Sequence, residues 1–422
     1  MERGTENKMD SNSNKIELLA PAGSYASLHA AINAGCDAVY FGLQGLNMRT
    51  VAADPFTTND LKEIVRISHK ANIKCYLALN TLVYDKDIAV MKAAIDAAKE
   101  FGVDAVITFD FSAIQYAREV GVEVHISTQH SISNIEAVKF FSTFADRIVL
   151  ARELTLEQIK YITEQIKEQG VRGPSGRLIE VEIFIHGAMC VSVSGRCGMS
   201  LYMFGTSANR GACTQPCRRK YTVTDASTGK RLNIENNFVM SPEDLCTIGM
   251  LDEIVKSGVV SLKVEGRGRS PEYVDEVIRC YREALASIKE GTYTKEKITE
   301  WNVRLGTVFN RGMSDGFFHG QAFKYWSGQA NSKATKVKTL IGTVTHYFSD
   351  INVAEVCVHA GEIGLGEEVV IIGPTSGVVR AKLDKIRVGG EPATEAKPGD
   401  ELTFVVKDKV REGDKMYVLR VV

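Results

Sequence analysis

Short apolar, β-branched runs alternate with amphipathic helical patterns through the first two thirds of the chain. This alternation predicts strands that are each followed by a helix, and glycines such as Gly35 and Gly102 mark helix ends. Parallel strands joined by helices form either an open doubly wound sheet or a closed (β/α)8 barrel, and eight units favour the barrel. The predicted strands lie at residues 16–20, 38–42, 74–80, 105–109, 122–127, 147–151, 180–187 and 261–266.

The seventh unit of this pattern is interrupted. A long insertion, residues 188–240, separates strand 180–187 from the next helical pattern, which we predict at 241–258. In a barrel this insertion follows the carboxyl end of a strand, where such folds place their active sites. The sequence therefore directs attention to the insertion and to the strand ends around it.

The two ends of the chain follow other patterns. Residues 1–15 are polar and lack an apolar core, so we expect a disordered tail and not a signal peptide. Residues 292–334 are rich in Gly, Ser and Asn and are predicted to form a connecting arm. Period-two alternation over 335–422 predicts a small all-β barrel, because closure removes exposed edges. Since no apolar run reaches the ~18 residues that a membrane helix needs, we expect a cytoplasmic protein without membrane contact.

Composition adds two constraints. The 422 residues include 51 Lys and Arg and 52 Asp and Glu, a net charge of −1. This balance excludes a uniformly basic nucleic-acid coat and an acidic disordered chain, although a local basic patch remains possible. In a cytosolic chain the nine cysteines should be reduced thiols or ligands. Five of them lie within 57 residues: Cys190, Cys197, Cys213, Cys217 and Cys246.

The crowding of these cysteines predicts a metal centre. Iron–sulfur clusters use four thiolates, whereas structural zinc usually takes closely spaced cysteine pairs. Only Cys213 and Cys217 form a close pair, and this favours a cluster while leaving zinc open. Cys217 and Cys246 compete for the fourth ligand position, and we expect Cys246, at the start of the predicted helix, to be a core residue.

Polar residues near the cysteines supply candidate chemistry. His186 lies four residues before Cys190, so a cysteine–histidine protease is one alternative. Arg152, Glu265 and Arg267 lie at or just after the ends of predicted strands and should reach the barrel mouth. A basic group beside the cysteines suits an anionic small molecule or an RNA backbone. Its members are Arg196, Arg210, Arg218, Arg219 and Lys220.

Three segments carry a resemblance to a known family. HGAMCVSVSGRCGMS (186–200), NRGACTQPCRRKY (209–221) and LKVEGRGRSPEYV (262–274) closely resemble peptidase family U32, the collagenase-like proteins. Within it, the sequence is most similar to the tRNA hydroxylation protein branch. The resemblance implies an N-terminal TIM-like barrel and a C-terminal β-barrel resembling the second domain of elongation factor Tu.

The resemblance also implies an activity: oxygen-independent hydroxylation of the tRNA wobble uridine to 5-hydroxyuridine, with a 4Fe–4S cluster and prephenate as the hydroxyl source. The implied partners are the tRNA anticodon loop and an electron donor or iron–sulfur assembly proteins. A U32-type protease, a ribosomal RNA hydroxylase and a zinc-stapled RNA-binding module are the alternatives.

Carried over by motif, the cluster ligands are Cys190, Cys197, Cys213 and Cys217. We expect the catalytic side chains to be His186, Arg196, Glu265 and Arg267. We expect the substrate-binding side chains to be Arg152, Arg210, Arg218, Arg219 and Lys220.

Overall fold

The structure is a computed structural model that describes residues 16–47, 56–232, 238, 240–320, 326–328 and 331–422. The predicted tail at 1–15, and parts of the predicted insertion and connecting arm, lie outside the described residues. None of the described helices is long and apolar enough to cross a bilayer.

Eight parallel strands close into a barrel, as predicted. They follow one another in chain order, and the last strand pairs with both the first and the seventh. The first seven are β1 (Glu17–Pro21), β2 (Ala38–Gly42), β3 (Lys74–Leu79), β4 (Ala105–Thr108), β5 (Val124–Ile126), β6 (Arg147–Val149) and β7 (Glu180–Gly187). Three short strands follow, β8 (Val223–Thr224), β9 (Arg231–Leu232) and β10 (Asp244–Cys246), before β11 (Ser261–Val264) closes the barrel.

Helices surround the barrel, and their ends carry the expected caps. The Asp110 side chain accepts the Ser112 N–H at the start of one helix, and Gly102 and Gly121 end two helices in the left-handed conformation. The helices are α1 (Tyr25–Asn33), α2 (Leu61–Lys70), α3 (Ile88–Phe101), α4 (Phe111–Val120), α5 (Ile135–Ser142), α6 (Leu156–Glu168), α7 (Met199–Phe204), α8 (Leu251–Lys256), α9 (Pro271–Lys289) and α10 (Lys295–Gly306).

The predicted helix at 241–258 is wrong in its first half. Residues Asp244–Cys246 form β10, which runs antiparallel to the end of β7 with Leu245 opposite Gly187 and Cys246 opposite His186. β7 has eight residues and extends beyond its neighbours, so its last residues offer unpaired backbone groups. The helix α8 begins only at Leu251. Cys246 therefore belongs to a strand and does not open a helix.

The segment 292–334 contains two elements that the sequence analysis did not predict. Helix α10 packs on the barrel through its buried residues Trp301 and Leu305, and the Trp301 indole donates to Glu283 at 3.0 Å. The short strand β12 (Met313–Ser314) pairs with β10. This part of the chain is therefore built into the barrel's own layers.

A buried network of charged residues fills the amino-terminal end of the barrel. Arg147, whose side chain is 4% exposed, binds the carboxylates of Glu17, Glu180 and Glu182. Lys263 Nζ lies 2.8 Å from Glu182 Oε1. We call these five residues the floor network. Each charge has an opposite partner, as buried charges require.

The C-terminal region is antiparallel and curls around a second apolar core that includes Ile371, Phe404 and Met416. Eight of its strands form one sheet in the order β17-β16-β22-β13-β14-β21-β18-β19. The strands are β13 (Lys336–Phe348), β14 (Val353–Val358), β15 (Ile363–Gly364), β16 (Glu368–Gly373), β17 (Gly377–Lys382), β18 (Ile386–Val388), β19 (Glu391–Ala393), β20 (Glu395–Ala396), β21 (Glu401–Val405) and β22 (Lys415–Val421).

This β-region is attached to the parallel barrel through α1 and α9. Arg380 on β17 bonds Asp275 at 3.1 Å and Glu276 at 2.9 Å, both on α9. At Gly377 the backbone has a φ of 68°, and an added Cβ would lie 2.8 Å from the Ala30 nitrogen of α1. Only glycine allows so close a contact between the two regions.

Candidate active site at the barrel mouth

The insertion after β7 brings four cysteines to one cavity at the carboxyl end of the barrel. Cys190, Cys197, Cys213 and Cys217 all line it, together with residues that follow β3, β5 and β6. Barrel topology accounts for this position, because the loop after a strand lies at that strand's carboxyl end. The structure thus brings together the four thiols that the sequence selected.

Local hydrogen bonds fix the loops that carry these thiols. The Cys197 N–H donates to Asn209 Oδ1 at 3.3 Å, and the Asn209 amide returns a bond to the Cys197 carbonyl at 3.2 Å. Arg218, next to Cys217, donates to the carbonyls of Met189 and Pro242 and so ties the start of the insertion to its end. These contacts give the cysteines defined positions.

The four thiols are close enough to influence one another electrostatically. Burial raises the pKa of the Cys217 thiol, the Arg218 guanidinium opposes this rise, and the thiols of Cys190, Cys213 and Cys197 add to it. A positive metal centre would reverse this effect, because thiolates are the form that binds metal. The donor set of four thiols therefore fits a thiophilic metal group.

The spacing of the thiols distinguishes between metal groups. A tetrahedral zinc ion with Zn–S bonds of about 2.3 Å holds its sulfurs only about 3.8 Å apart. Over the described ranges of the chain, no three of these sulfurs lie within 4.8 Å of one another. In a polynuclear iron–sulfur cluster each thiolate binds a different iron, so the sulfurs stand farther apart. The sulfurs are therefore not arranged as the compact tetrahedron of a zinc site, and four thiols are the usual number of ligands for a cluster.

Cys246 lies apart from this group. It does not line the cavity, and it packs against the barrel core with its sulfur 3.9 Å from Asn302 Oδ1. Burial raises the pKa of Cys246 to about 11. This position is the one expected of a core residue.

Below the thiols the cavity wall is cationic and aromatic. Arg152 lies over the Phe184 ring at 3.9 Å and donates to the Ala188 carbonyl at 3.3 Å. Arg267 donates to Asn47 at 3.2 Å and lies over the Tyr40 ring. Lys263 of the floor network also reaches the cavity; its burial lowers the pKa of the ammonium, and Glu182 opposes that shift.

The remaining polar lining is rigid. Tyr40 donates to Glu265 Oε2 at 3.1 Å, which orients the one carboxylate among the described residues that line the cavity. Gln129 and Asn80 bond to each other twice, at 2.9 and 3.0 Å, and Ser127 donates to Gln129 at 2.8 Å. A site with three cations, one oriented carboxylate and fixed amides is suited to a small anionic molecule.

The sequence profile of Peptidase family U32 matches residues 23–328. The chain belongs to peptidase family U32. A relative named collagenase from Porphyromonas gingivalis is 48% identical over 96% of this chain and 98% of its own length. The tRNA hydroxylation protein P1 of Bacillus subtilis is 34% identical over 85% of this chain and 84% of its own length. The 23S rRNA 5-hydroxycytidine C2501 synthase of Escherichia coli is 35% identical over 67% of this chain, but only 41% of its own length.

In this U32 protein, the cavity lining includes only some of the predicted site residues. Arg152, Glu265 and Arg267 line it together with the four cysteines. His186 does not; it is 2% exposed, lies against Tyr273 and Tyr281, and burial lowers its pKa to about 3. Such a histidine is neutral and has no direct access to a substrate in the cavity.

The predicted basic residues of the insertion also lie outside the cavity lining. Arg210 forms an ion pair with Asp87 at 2.8 Å and covers the Tyr84 ring, and Arg218 is a half-buried clamp between loops. Arg196 lies 5.6 Å from the centre of the Phe109 ring. Arg219 and Lys220 are exposed at the outer rim. Of these five residues, Arg219 and Lys220 are the ones placed to contact a larger molecule outside the cavity.

Sequence reasoning missed Lys263, Tyr40 and Phe184. All three lie within predicted strands and point into the cavity from β11, β2 and β7. Lys263 carried a usable signal, because a charged residue inside an apolar parallel strand needs a buried partner. Tyr40 and Phe184 carried none, since strands buried on both faces show no alternation.

Proposed function

We propose that this U32 protein hydroxylates RNA without oxygen, converting the tRNA wobble uridine to 5-hydroxyuridine. Cys190, Cys197, Cys213 and Cys217 would hold a 4Fe–4S cluster, and prephenate would be the hydroxyl donor. The observation that carries this proposal is the convergence of four thiols on a cationic cavity. The similarity to the tRNA hydroxylation protein of Bacillus subtilis supports the substrate class.

When bound, the cluster would supply the redox chemistry that carbon 5 of uracil, which is not acidic, requires. The chain's own residues would bind and orient. Arg152, Arg267 and Lys263 would bind the two carboxylates of the donor, with Tyr40 and Phe184 against its ring. Charge-assisted bonds of this kind give both affinity and fixed orientation.

The target base must leave its stack to reach the cavity, which is easiest in a single-stranded loop. The fixed pair of Asn80 and Gln129 offers amide groups that match the hydrogen-bonding edge of a pyrimidine. Glu265, held by Tyr40, is positioned to accept a proton from a group bound in the cavity. Around these residues the insertion would limit the access of water.

The test has two parts. Protein purified without oxygen should be brown and contain about four irons and four sulfides per chain, and a deletion strain should lose 5-hydroxyuridine and its derivatives from tRNA. Colourless protein with one zinc per chain, or an unchanged tRNA nucleoside profile where no paralogue compensates, would contradict the proposal. Loss of a hydroxylated nucleoside from ribosomal RNA instead would redirect it to that substrate.

Proteolysis is the second candidate, because the relative that is 48% identical is named collagenase. A cysteine–histidine protease needs an imidazole beside its thiol. Within the described structure, no histidine lines the cavity, and the buried His186 has a pKa of about 3. Cleavage of collagen peptides by cluster-free protein, abolished in Cys190→Ala, would favour this candidate over hydroxylation.

A further inference from the structure

The cysteine insertion is far more basic than the rest of the chain. The insertion, residues 188–240, contains seven Lys and Arg and two acidic residues, Asp225 and Glu235, whereas the whole chain has a net charge of −1. Two of these basic side chains, Arg219 and Lys220, are exposed. Local charge of one sign next to a cavity attracts a polyanion and raises its rate of association.

Exposed aromatic rings are concentrated at the same end of the barrel. Seven exposed aromatic side chains occur in the part of the chain that the structure describes. Four of them, Tyr84, Phe111, Tyr202 and Phe204, belong to the insertion or follow β3 and β4. Tyr202 is 89% exposed. Folding gains nothing from a ring in water, so a group of them marks a contact surface.

Aromatic and basic side chains alternate on this surface. The Arg219 guanidinium lies 4.6 Å from the centre of the Phe204 ring, and Lys220 follows it in the chain. Tyr202 and Phe204 lie on α7, whose first residues, Met199 and Ser200, line the cavity. Along a helix, three to five residues span about 5–8 Å, so these rings lie beside the cavity entrance.

We propose that Tyr202, Phe204, Arg219 and Lys220, which we call the stacking rim, bind the single-stranded loop of an RNA. Bases would stack on Tyr202 and Phe204, and backbone phosphates would contact Arg219 and Lys220. Aromatic platforms beside cations are the common means of binding single strands, because every base has a flat face. This inference rests on the proposed function in taking RNA as the substrate, and it adds where the nucleotides next to the target bind.

RNA is favoured over a protein partner by two features together. The excess of positive charge matches a phosphate backbone, and Tyr202, which is 89% exposed, leaves most of its ring surface open to a stacking base. A paired helix cannot use these rings, since its bases are already stacked. The rim should therefore distinguish a loop from a duplex.

The test measures binding of a fluorescently labelled anticodon stem–loop RNA by anisotropy, without donor and without turnover. Tyr202→Ala should raise Kd about 5- to 100-fold, the range expected for removal of one base–aromatic stack, and leave the salt dependence unchanged. Its matched control, Tyr161→Ala, removes a ring that is 57% exposed on α6 and should bind like wild type. Phe204→Ala provides a second variant of the same kind.

Arg219→Ala/Lys220→Ala should weaken binding and reduce the slope of log K against log salt by about 0.7 for each phosphate that the protein no longer neutralises. The control is Lys62→Ala/Lys289→Ala, which removes two exposed lysines on the outer helices. Thermal unfolding of every variant checks that these surface changes leave the fold intact. A slope that stays at the wild-type value in the rim variant would contradict the assigned phosphate interactions.

Further outcomes separate this inference from the proposed function. Loop binding that depends on Tyr202, in protein that forms no hydroxyuridine, upholds the rim and overturns the hydroxylation. If the protein hydroxylates RNA and Tyr202→Ala binds the stem–loop with the wild-type Kd, the stacking rim is overturned and the proposed function is not. Equal affinity for a fully paired duplex, or binding of a collagen peptide that RNA does not displace, also overturns the rim.

Discussion

The two ends of the parallel barrel hold cations that are buried, such as Arg147, or half-buried, such as Arg152, but the charges are neutralised differently at each end. At the amino-terminal end, Arg147 is bound by three carboxylates and Lys263 by one of the same three. At the mouth, Arg152 has no ion pair among the described residues, and its buried Nε has no hydrogen-bond partner there. The charged groups of the floor network are paired with one another. At the mouth, the Arg152 Nε–H is still open to a hydrogen bond with a ligand.

This difference separates structural from functional charge. A buried ion pair that is complete inside the protein adds little to binding and holds the strands in place. A buried cation with an open donor is costly to the free protein, and a bound anion would relieve that cost. Lys263 belongs to both ends, since it pairs with Glu182 and also lines the cavity.

The largest expected effect is at the mouth. On the proposed function, Cys197→Ala takes away one of the four thiols that would bind the cluster, so the cluster should be lost and hydroxylation should fall below detection. Iron content and the visible spectrum measure the first effect, and nucleoside analysis measures the second. Cys246→Ala is the matched control and should keep both. If Cys197→Ala protein lacked the cluster but stayed active, the four thiols would have no role in the reaction.

The next effect is at the floor. Arg147→Met leaves three carboxylates without their shared cation, and it should lower the free energy of unfolding by about 3–5 kcal/mol. Urea unfolding measures this decrease, while RNA affinity of the folded protein should not change. Arg66→Ala, which breaks an exposed pair with Glu63, should leave stability unchanged. If Arg147→Met instead weakened RNA binding and left the stability unchanged, the floor network would have a role in binding and not in folding.

The third effect is the dependence of stability on pH, and it tests whether His186 is a structural residue of the core or takes part in the reaction at the mouth. Its pKa is lowered by burial from 6.5 to about 3, so the unfolded chain takes up a proton there before the folded chain does. The stability that depends on neutral His186 is complete above pH 6.5 and is lost as the pH falls toward 3. Between pH 6.5 and 4.5 this loss is about 2–3 kcal/mol.

His186→Phe should flatten that part of the stability profile, measured by urea unfolding at both pH values. His319→Gln, at a histidine that is 58% exposed, should leave the slope unchanged. The opposite result is that His186→Phe keeps the wild-type dependence of unfolding free energy on pH, while only the wild-type reaction rate titrates near pH 6.5. That result would assign His186 to the reaction at the mouth and not to the folded core.

The smallest effect concerns donor binding. On the proposed function, Arg152→Met should raise the KM for prephenate about 10- to 100-fold, the value of one charge-assisted bond, with iron content unchanged. Arg210→Met is the control, because Arg210 is already paired with Asp87 and lies outside the cavity lining. Equal effects of the two variants would contradict the distinction between open and paired cations.

The sequence predicted the parts of this molecule that depend on local pattern. All eight barrel strands lie where apolar, β-branched runs placed them, and the motif resemblance selected the four thiols of the cavity. Strand β10 was missed because its partner is the distant, overlong end of β7. Its sequence, after Ser241 and Pro242, is typical of a helix start. Tertiary pairing overrode that local preference.

The site was predicted less completely for a related reason. Arg152, Glu265 and Arg267 were found because residues after strands reach the mouth of any such barrel. His186 and Arg218 also lie near strand or cysteine positions, yet their side chains turn into packed surroundings. The direction of a side chain at the end of a strand depends on neighbours that are distant in sequence.

The pairing of β10 with β7 has a consequence for how the family can vary. Leu245 lies opposite Gly187, so the two ends of the cysteine segment are joined by the barrel's own backbone hydrogen bonds. The entropy of closing such a loop grows only with the logarithm of its length, about 0.6 kcal/mol for each doubling. The segment between them, residues 188–244, can therefore change in length and in its exposed residues while the barrel stays the same. On the proposed function, exchanging this segment between relatives should transfer the preference for one RNA over another, with little change in the stability of the barrel.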